Sequence, residues 1–157
     1  MEVILFQPEI PPNTGNVARL CAAFGVPLHL IGPLGFSLDD KHLKRAGLDY
    51  WPAVDLTVWP DWDGFAAART GTRLVFTSAR RGAPLHRFTF RPGDGLVFGP
   101  ETRGCPVELL DRDPDLVVNI PLRGPVRSLN LSTATGVVLY EALRQTGELD
   151  HWCGPAE

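Results

Sequence analysis

Three short stretches of the chain place hydrogen-bonding side chains where an apolar strand gives way to a loop or a helix. In the first, PPNTGNVAR, Asn13 or Thr14 is suited to cap a helix, which is an ordinary helix start. Asn16 and Arg19 are three residues apart and therefore share one face of that helix. Because the helix dipole disfavours a cation near a helix N-terminus, Arg19 is expected to have an anionic partner, a carboxylate or a phosphate.

The second stretch, LVFGPETRG, runs from a buried strand directly into Gly99, Pro100 and Glu101. Gly99 permits a ligand to approach the backbone closely, and Pro100 stiffens the turn. Glu101 follows an apolar strand at once, a position that usually faces a cleft. The alternative interpretation is a Gly-Pro turn with a solvated glutamate.

The third stretch, NIPLRGPVRSLNLS, leads from a strand into a helix that we expect to begin near Ser128, a good N-cap residue. Asn130 and Ser132 lie beyond that cap, where their helix propensity is poor. They either pack against polar loops or bond back to helical carbonyls, or they line a polar site.

The sequence lacks the residue patterns that are typical of several other kinds of active site. No carboxylate pair indicates glycoside hydrolysis, no ligand spacing indicates a metal site, and the three cysteines are too widely spaced for zinc or a disulfide framework. The N-terminus does not read as a signal peptide and no apolar run reaches transmembrane length. The sequence therefore predicts a cytoplasmic protein without a metal or a membrane contact. No Ser/His/Asp or Cys/His arrangement involves the histidines, which are His29, His42, His86 and His151.

Composition predicts one packed domain over residues 1–157, since 44% of the residues are hydrophobic and 21% are charged. The net charge of −3 gives no indication of nucleic acid. Lys41 and Lys44 are the only lysines among 15 basic residues, so the other 13 are arginines. Arginine suits planar contact with phosphate or carboxylate, although a GC-rich genome would explain the same bias.

Short apolar runs alternate with helical patterns along the chain. Strands are predicted at 2–6, 27–32, 54–59, 73–78, 95–99 and 115–121. Helices are predicted at 15–25, 39–47, 61–70, 106–111 and about 128–146. This alternation predicts an α/β fold, a mostly parallel sheet with helices on both faces. Ligands of such sheets bind beyond the carboxyl ends of strands, a rule that selects the loops after Phe6, Phe76, Phe98 and Ile120.

Together, NTGNVAR, LVFGPETRG and IPLRGPVRSLNLS resemble the three motifs of the SPOUT methyltransferases. In order and spacing they resemble the small tRNA 2′-O-methyltransferases of the TrmL type, whose EPEIPPNTGN is QPEIPPNTGN here. The stretch DDKHLKRAGLDY also reads as sequence of that family, so the resemblance covers almost the whole chain. It implies methylation, with S-adenosylmethionine as donor, of the ribose of the cytidine or uridine at the tRNA anticodon wobble position.

The resemblance also implies a SPOUT fold, in which the C-terminal part of the chain is threaded into a trefoil knot, and a homodimer. The last helix contributes to that dimer, which suits apolar residues on more than one of its sides. These are Val137, Val138, Leu139, Tyr140 and Leu143.

Site residues follow from the same resemblance. Arg19, acting from the partner subunit, would orient the phosphate or the 2′-hydroxyl and favour the developing oxyanion, while Asn16, Glu101 and Asn130 would hold Arg19 and the ribose. No side chain is an obvious general base near neutral pH. The cofactor pocket would use Thr77, Ser78, Gly99, Pro100, Glu101, Ile120, Leu122, Ser128 and Asn130.

With no additional RNA-binding domain, the surface of the dimer would have to bind the tRNA. Phe88 or Phe90 could stack an unpaired base, although a core role is preferred for both. The candidate phosphate contacts lie in two basic segments and are Lys41, Lys44, Arg45, Arg80, Arg81, Arg87 and Arg91.

Three alternatives stay open at this point. An α/β nucleotide-binding protein that uses NTGN as a phosphate loop would bind ATP or NAD and not S-adenosylhomocysteine. An RNA-binding module that kept the fold without the chemistry would bind tRNA and transfer no methyl group. Related SPOUT enzymes methylate other riboses of tRNA or rRNA.

Overall fold

A computed structural model describes residues 1–38 and 50–151 and has an α/β fold. Its strands are β1 (Glu2–Phe6), β2 (Leu28–Ile31), β3 (Leu56–Trp59), β4 (Leu74–Thr77), β5 (Ala83–Pro84), β6 (Gly95–Phe98) and β7 (Val117–Asn119). They form one sheet in the order β3-β2-β1-β6-β4-β7-β5, and every neighbouring pair is parallel. The prediction of a parallel α/β sheet is confirmed.

Six of these strands lie where the sequence predicts them, with equal or shorter bounds. All residues of β1 and β6 are buried, as expected for strands that are covered on both faces. The two-residue strand β5 was not predicted, because a pair of residues that includes a proline carries no period.

The helices are α1 (Pro11–Phe24), α2 (Trp62–Ala68), α3 (Val107–Leu110) and α4 (Leu131–Thr146). They cover both faces of the sheet: Val3 and Leu5 of β1 pack in a core with α1 and α4, whereas Ile4 and Phe6 pack with α2 and α3. The predicted helix at 39–47 lies outside the described residues. Within the described ranges, no helix has both the length and the hydropathy needed to span a membrane.

Two helix starts were predicted wrongly. Helix α1 begins at Pro11 rather than residue 15, and its N-cap, Ile10, makes no side-chain capping bond. Two prolines in its first turn have the φ that a helix needs and lack the N–H groups that would be unpaired there. Helix α4 begins at Leu131, so its N-cap is Asn130 and not Ser128. The predicted glycine terminus of α1 is confirmed, since Gly25 has φ 63°.

The chain crosses itself beside the last strand. Strand β7 lies between β4 and β5, so residues 78–82 must pass from one side of it to the other. Gly82 makes this crossing possible: its φ is +112°, and a Cβ there would lie 2.5 Å from the carbonyl oxygen of Val117. The predicted trefoil knot requires a crossing of this kind, and the threading itself stays a prediction.

Candidate active site

A cavity of about 850 Å³ opens at the carboxyl ends of β4, β6 and β7, beside the start of α4. Side chains or backbone from all three stretches line it, as the strand-end rule predicts. All nine residues predicted for the cofactor pocket are among its lining residues: Thr77, Ser78, Gly99, Pro100, Glu101, Ile120, Leu122, Ser128 and Asn130.

A chain of side-chain hydrogen bonds joins the three stretches at the cavity. Asn130 Nδ2 donates to Asn13 Oδ1 at 2.9 Å, and Asn13 Nδ2 donates to Glu101 Oε1 at 3.0 Å. The amide oxygen of Asn130 caps α4, because Oδ1 accepts from the backbone N–H and the hydroxyl of Ser132. Asn13 was predicted only as a helix cap, and the structure instead places it at the centre of this network.

Glu101 is a tightly bound acceptor rather than a solvated turn residue. Besides Asn13, its carboxylate accepts from the backbone N–H groups of Glu9 at 2.9 Å and Ile10 at 3.3 Å. The next residue, Thr102, donates its backbone N–H and its hydroxyl back to Glu9. These reciprocal bonds fix the loop before α1 against the loop after β6.

Gly99, which lines the cavity, is also required by the backbone of its own loop. A Cβ at Gly99 would lie 2.0 Å from the backbone nitrogen of Cys105 and 2.1 Å from the carbonyl carbon of Gly104. The backbone that approaches Gly99 is therefore that of its own loop, which closes through a 2.8 Å bond from Gly104 N–H to Pro100 O.

Arg19 and Asn16 are exposed on α1 and do not line the cavity of their own chain. Because α1 begins at Pro11, Arg19 is two turns into the helix, and the dipole argument for it is wrong. Its guanidinium lies 4.6 Å from the centroid of the Tyr50 ring and donates to the Tyr50 hydroxyl at 3.2 Å. Within one chain, Glu101 and Asn130 thus hold Asn13 and not Arg19, and a role for Arg19 across a dimer stays a prediction.

In the described part of the chain, four arginines line the cavity, namely Arg80, Arg81, Arg103 and Arg127. The predicted RNA contacts include only the first two. Arg81 is paired with Asp111 at 2.8 Å. Arg87 and Arg91 are exposed but lie away from the cavity, and Lys41, Lys44 and Arg45 lie outside the described residues. Arg103 and Arg127 also line the cavity but were not among the predicted RNA contacts, although each stands inside a quoted motif.

Cys105, Phe88 and Phe90 have structural roles. Burial raises the pKa of the Cys105 thiol, which lines the cavity, to about 12, so it stays protonated and is not a nucleophile. The core role preferred for Phe88 and Phe90 is confirmed, since both are buried with ring centroids 4.8 Å apart. Among the described residues, no group of His, Cys, Asp and Glu side chains is arranged to hold a metal.

His29 belongs to a buried polar cluster that does not line the cavity. Trp59 Nε1–H donates to His29 Nδ1 at 3.1 Å, so the ring proton lies on Nε2, which faces Glu2 Oε2 at 3.3 Å. Arg69 also pairs with Glu2. Burial lowers the pKa of His29 below its ordinary value, and the nearby Asp55 opposes this shift.

The last helix presents part of its apolar surface to solvent. Val138, Leu139 and Leu143 are buried in the core of their own chain, whereas Val137 and Tyr140 are 40% and 53% exposed. The two exposed side chains lie along an open groove of about 790 Å³. Leu20 and Phe24 of α1 form its other wall.

The chain is similar to known proteins along most of its length. Residues 1–140 match the sequence profile of the SpoU rRNA Methylase family. The chain is 50% identical over 145 residues, 92% of this chain and 94% of that protein, to the tRNA (cytidine(34)-2′-O)-methyltransferase of Methylovorus glucosotrophus.

Solved structures have the same fold. One that addresses the 2-OH methylation of C/U34 on tRNA has a TM-score of 0.87 at 56% identity and covers 92% of this chain and 94% of its own. An AdoMet-bound rRNA methyltransferase from Sinorhizobium meliloti has a TM-score of 0.81 at 27% identity and covers 91% of this chain and 55% of its own. With its motifs gathered at one cavity and its sequence matched over 140 residues, the chain belongs to the SpoU rRNA methylase family.

Proposed function

We propose that the protein transfers a methyl group from S-adenosylmethionine to the ribose 2′-oxygen of the nucleotide at position 34 of tRNA. The observation that carries the proposal is the convergence of three separated stretches on one cavity, where Asn130, Asn13 and Glu101 form a continuous hydrogen-bonded chain. The relatives named for 2′-O-methylation of cytidine 34 support the choice of substrate.

The cavity has the composition that a cofactor of this kind needs. Its volume lies within the usual range for small-molecule sites. Phe98, Val118 and Ile120 supply apolar wall, and strand-end loops supply backbone polar groups. Two of those loops are held rigidly, since Thr77 donates to Val97 O at 3.1 Å and Asn119 donates to Ser78 O at 2.9 Å. The bound cofactor supplies an activated methyl group on a sulfonium.

The protein's contribution is chiefly alignment of the ribose with that methyl group. Asn130 and Ser128 stand at the cavity beside the start of α4. Arg19 of a second subunit orients the phosphate or the 2′-hydroxyl and favours the developing oxyanion. Tyr50 contacts the Arg19 guanidinium by stacking and by a hydrogen bond, which limits the side chain to few conformations.

A homodimer is part of the proposal. The exposed Val137 and Tyr140, with Leu20 and Phe24 across the groove, form an apolar surface suited to a second copy of the chain. Arg80 and Arg127 at the cavity add positive charge for the tRNA backbone. The reaction takes place in the cytoplasm, with tRNA as the macromolecular partner.

The direct test is transfer of labelled methyl from S-adenosylmethionine to bulk tRNA, followed by nucleoside mapping. We expect 2′-O-methylated nucleotide at position 34, and loss of turnover in R19A with nearly unchanged binding of S-adenosylhomocysteine by calorimetry. Label in another ribose of tRNA or rRNA would mean that the enzyme methylates a different nucleotide, as related members of the family do. Binding of ATP or NAD without S-adenosylhomocysteine, or tRNA binding without transfer, would contradict the proposal.

A further inference from the structure

Gln7 holds a strained position at the carboxyl end of β1. It is the one non-glycine residue with a positive φ, 47°, in the ranges that the structure describes. Its backbone N–H donates to Ile31 O at 2.8 Å, and its side-chain Nε2 donates to Gly32 O at 3.4 Å. Strained backbone of this kind persists where surrounding contacts enforce it, and it is common at functional sites.

The remaining side-chain atom of Gln7 positions an arginine at the cavity. Gln7 Oε1 accepts from Arg103 Nη2 at 2.8 Å, and Arg103 lines the cavity with an exposed side chain. The Gln7 side chain therefore bridges the loop after β2 and the loop after β6. Because its amide is neutral, it fixes the direction of the guanidinium without cancelling its charge.

Arg103 differs in this respect from the arginines that are paired with carboxylates. Arg73 is paired with Asp94 at 2.7 Å, Arg81 with Asp111 at 2.8 Å and Arg144 with Glu141 at 2.9 Å. Among the described residues, no carboxylate pairs with Arg103. An oriented guanidinium that lacks a carboxylate partner is suited to bind an oxyanion from a ligand.

The charges of the residues that line the cavity also favour an anionic ligand. Of the described residues, four arginines line it, of which Arg81 is paired with Asp111, and Glu101 is the one lining carboxylate. The Glu101 oxygens are already bound by Glu9, Ile10 and Asn13. The proposed methyl donor carries one carboxylate but two positive groups, the sulfonium and the ammonium, so it brings no net negative charge. The excess of cations in the cavity therefore favours an anion on the other ligand.

We propose that Arg103, oriented by Gln7, binds a phosphate group of the tRNA nucleotide whose ribose enters the cavity. The inference rests on the proposed function and deepens it by naming the contact that aligns the substrate backbone. Gln7 is a positioning residue in this arrangement, and Arg103 is the residue that contacts the phosphate.

The test compares R103Q with R112Q in methyl transfer to an anticodon stem-loop. Arg112 is exposed and outside the cavity, so both variants remove one positive charge and only R103Q removes the proposed contact. We expect R103Q to raise KM for the stem-loop about 10- to 100-fold, the range for a charged hydrogen bond. We also expect the slope of log affinity against log salt to fall by about one, with R112Q near wild type.

Substrates with a neutral methylphosphonate linkage on the 5′ or the 3′ side of nucleotide 34 identify the phosphate. On the stem-loop that lacks the contacted charge, R103Q should change KM by less than about twofold, because the interaction is already gone. An equal effect of R103Q on every stem-loop would overturn the assignment.

Two further variants separate orientation from charge. R103K keeps the charge and should retain the salt slope while losing part of the affinity. Q7L removes the oxygen that accepts from Arg103 and should weaken stem-loop binding while leaving the salt slope nearly unchanged, because the charge of Arg103 remains. If Q7L bound the stem-loop as tightly as wild type, the role of Gln7 as a positioning residue would be lost.

Calorimetry distinguishes the phosphate from the carboxylate of the cofactor. We expect R103Q to bind S-adenosylhomocysteine within about twofold of wild type. Weaker cofactor binding with an unchanged salt slope would assign Arg103 to the cofactor and end the phosphate proposal. The salt slope is measured by binding alone, so it tests Arg103 even if the wild-type protein methylates a different nucleotide.

Discussion

Asn130 Nδ2 and Asn13 Oδ1 form a 2.9 Å hydrogen bond between residues that are 117 positions apart in the chain. The bond connects the N-cap of α4 to the first turn of α1, at the wall of the cavity. Asn13 in turn donates a hydrogen bond to Glu101. The three motifs are therefore mechanically coupled, and each one fixes the position of another.

This coupling predicts a non-additive double-mutant cycle. N13A leaves polar groups of Asn130 and Glu101 without their partner, so we expect a loss of about 1–3 kcal/mol of stability and weaker S-adenosylhomocysteine binding. N130A should cost a similar amount, and the double variant should cost clearly less than the sum of the two. Urea unfolding and calorimetry measure both effects. T133A, which changes an exposed residue on the same helix, is the control. If the effects of N13A and N130A on stability were additive, the coupling would be contradicted.

Gly99 provides the second prediction. In G99A the new Cβ would meet the backbone of Gly104 and Cys105 at about 2 Å, so the loop after β6 has to open. Because this contact is with backbone, a small side-chain shift does not relieve it. We expect a thermal midpoint several degrees lower and a loss of cofactor binding of at least about tenfold.

The matched control is G124A, because a Cβ at Gly124 meets nothing within 4 Å and that residue is not in the left-handed region. G124A should unfold within about 1 °C of wild type, since surface changes away from special features cost little. Equal midpoints for G99A and G124A would show that the closed loop is not needed for stability.

The sequence predicted the parts of this site that depend on local pattern. Six of the seven strands in the described sheet, the strand-end loops and the glycine that ends α1 follow from residue types within a few positions of one another. The wrong start of α4 has a tertiary cause: Asn130 is an N-cap whose free amide group is fixed by Asn13, a contact that no local window contains. The crowding of Gly99 could not be predicted for the same reason, since the backbone that contacts it follows a turn that the sequence does not reveal.

The buried cluster of His29 predicts a pH-dependent stability. Burial lowers the pKa of His29 in the folded state, whereas the unfolded chain titrates near about 6.5. Below that pH the unfolded state binds more protons than the native state, so stability falls as pH decreases from 6.5 towards the native pKa. The contribution is fully present above about pH 7.

Urea unfolding of wild type and H29Q at pH 7.5, 6.5 and 5.5 measures the contribution of His29 to the free energy of unfolding. We expect the stability difference between the two proteins to shrink as pH falls, because only the wild type loses that contribution. H86Q, which changes a histidine outside this buried cluster, is the comparison variant. A difference that stays constant across this range would mean that His29 is protonated to the same degree in both states.

The last prediction concerns the two-subunit site. Arg19 is exposed, oriented by Tyr50 and absent from the cavity wall of its own chain, so it can serve the reaction only at the cavity of a partner. A subunit with R19A keeps an intact cavity, and a subunit with N130A keeps an intact Arg19. Each variant alone should be nearly inactive.

Mixed dimers of the two variants separate the two possibilities. Across a dimer, one of the two sites combines the intact cavity of the R19A subunit with the Arg19 of the N130A subunit, so about half the wild-type turnover should return in purified heterodimers. If each Arg19 served its own chain, both sites would carry a defect and no activity would return. Return of methyl-transfer activity in the heterodimers therefore locates Arg19 in the partner's site. If heterodimers that still bind S-adenosylhomocysteine stay inactive, Arg19 does not act in the partner's site.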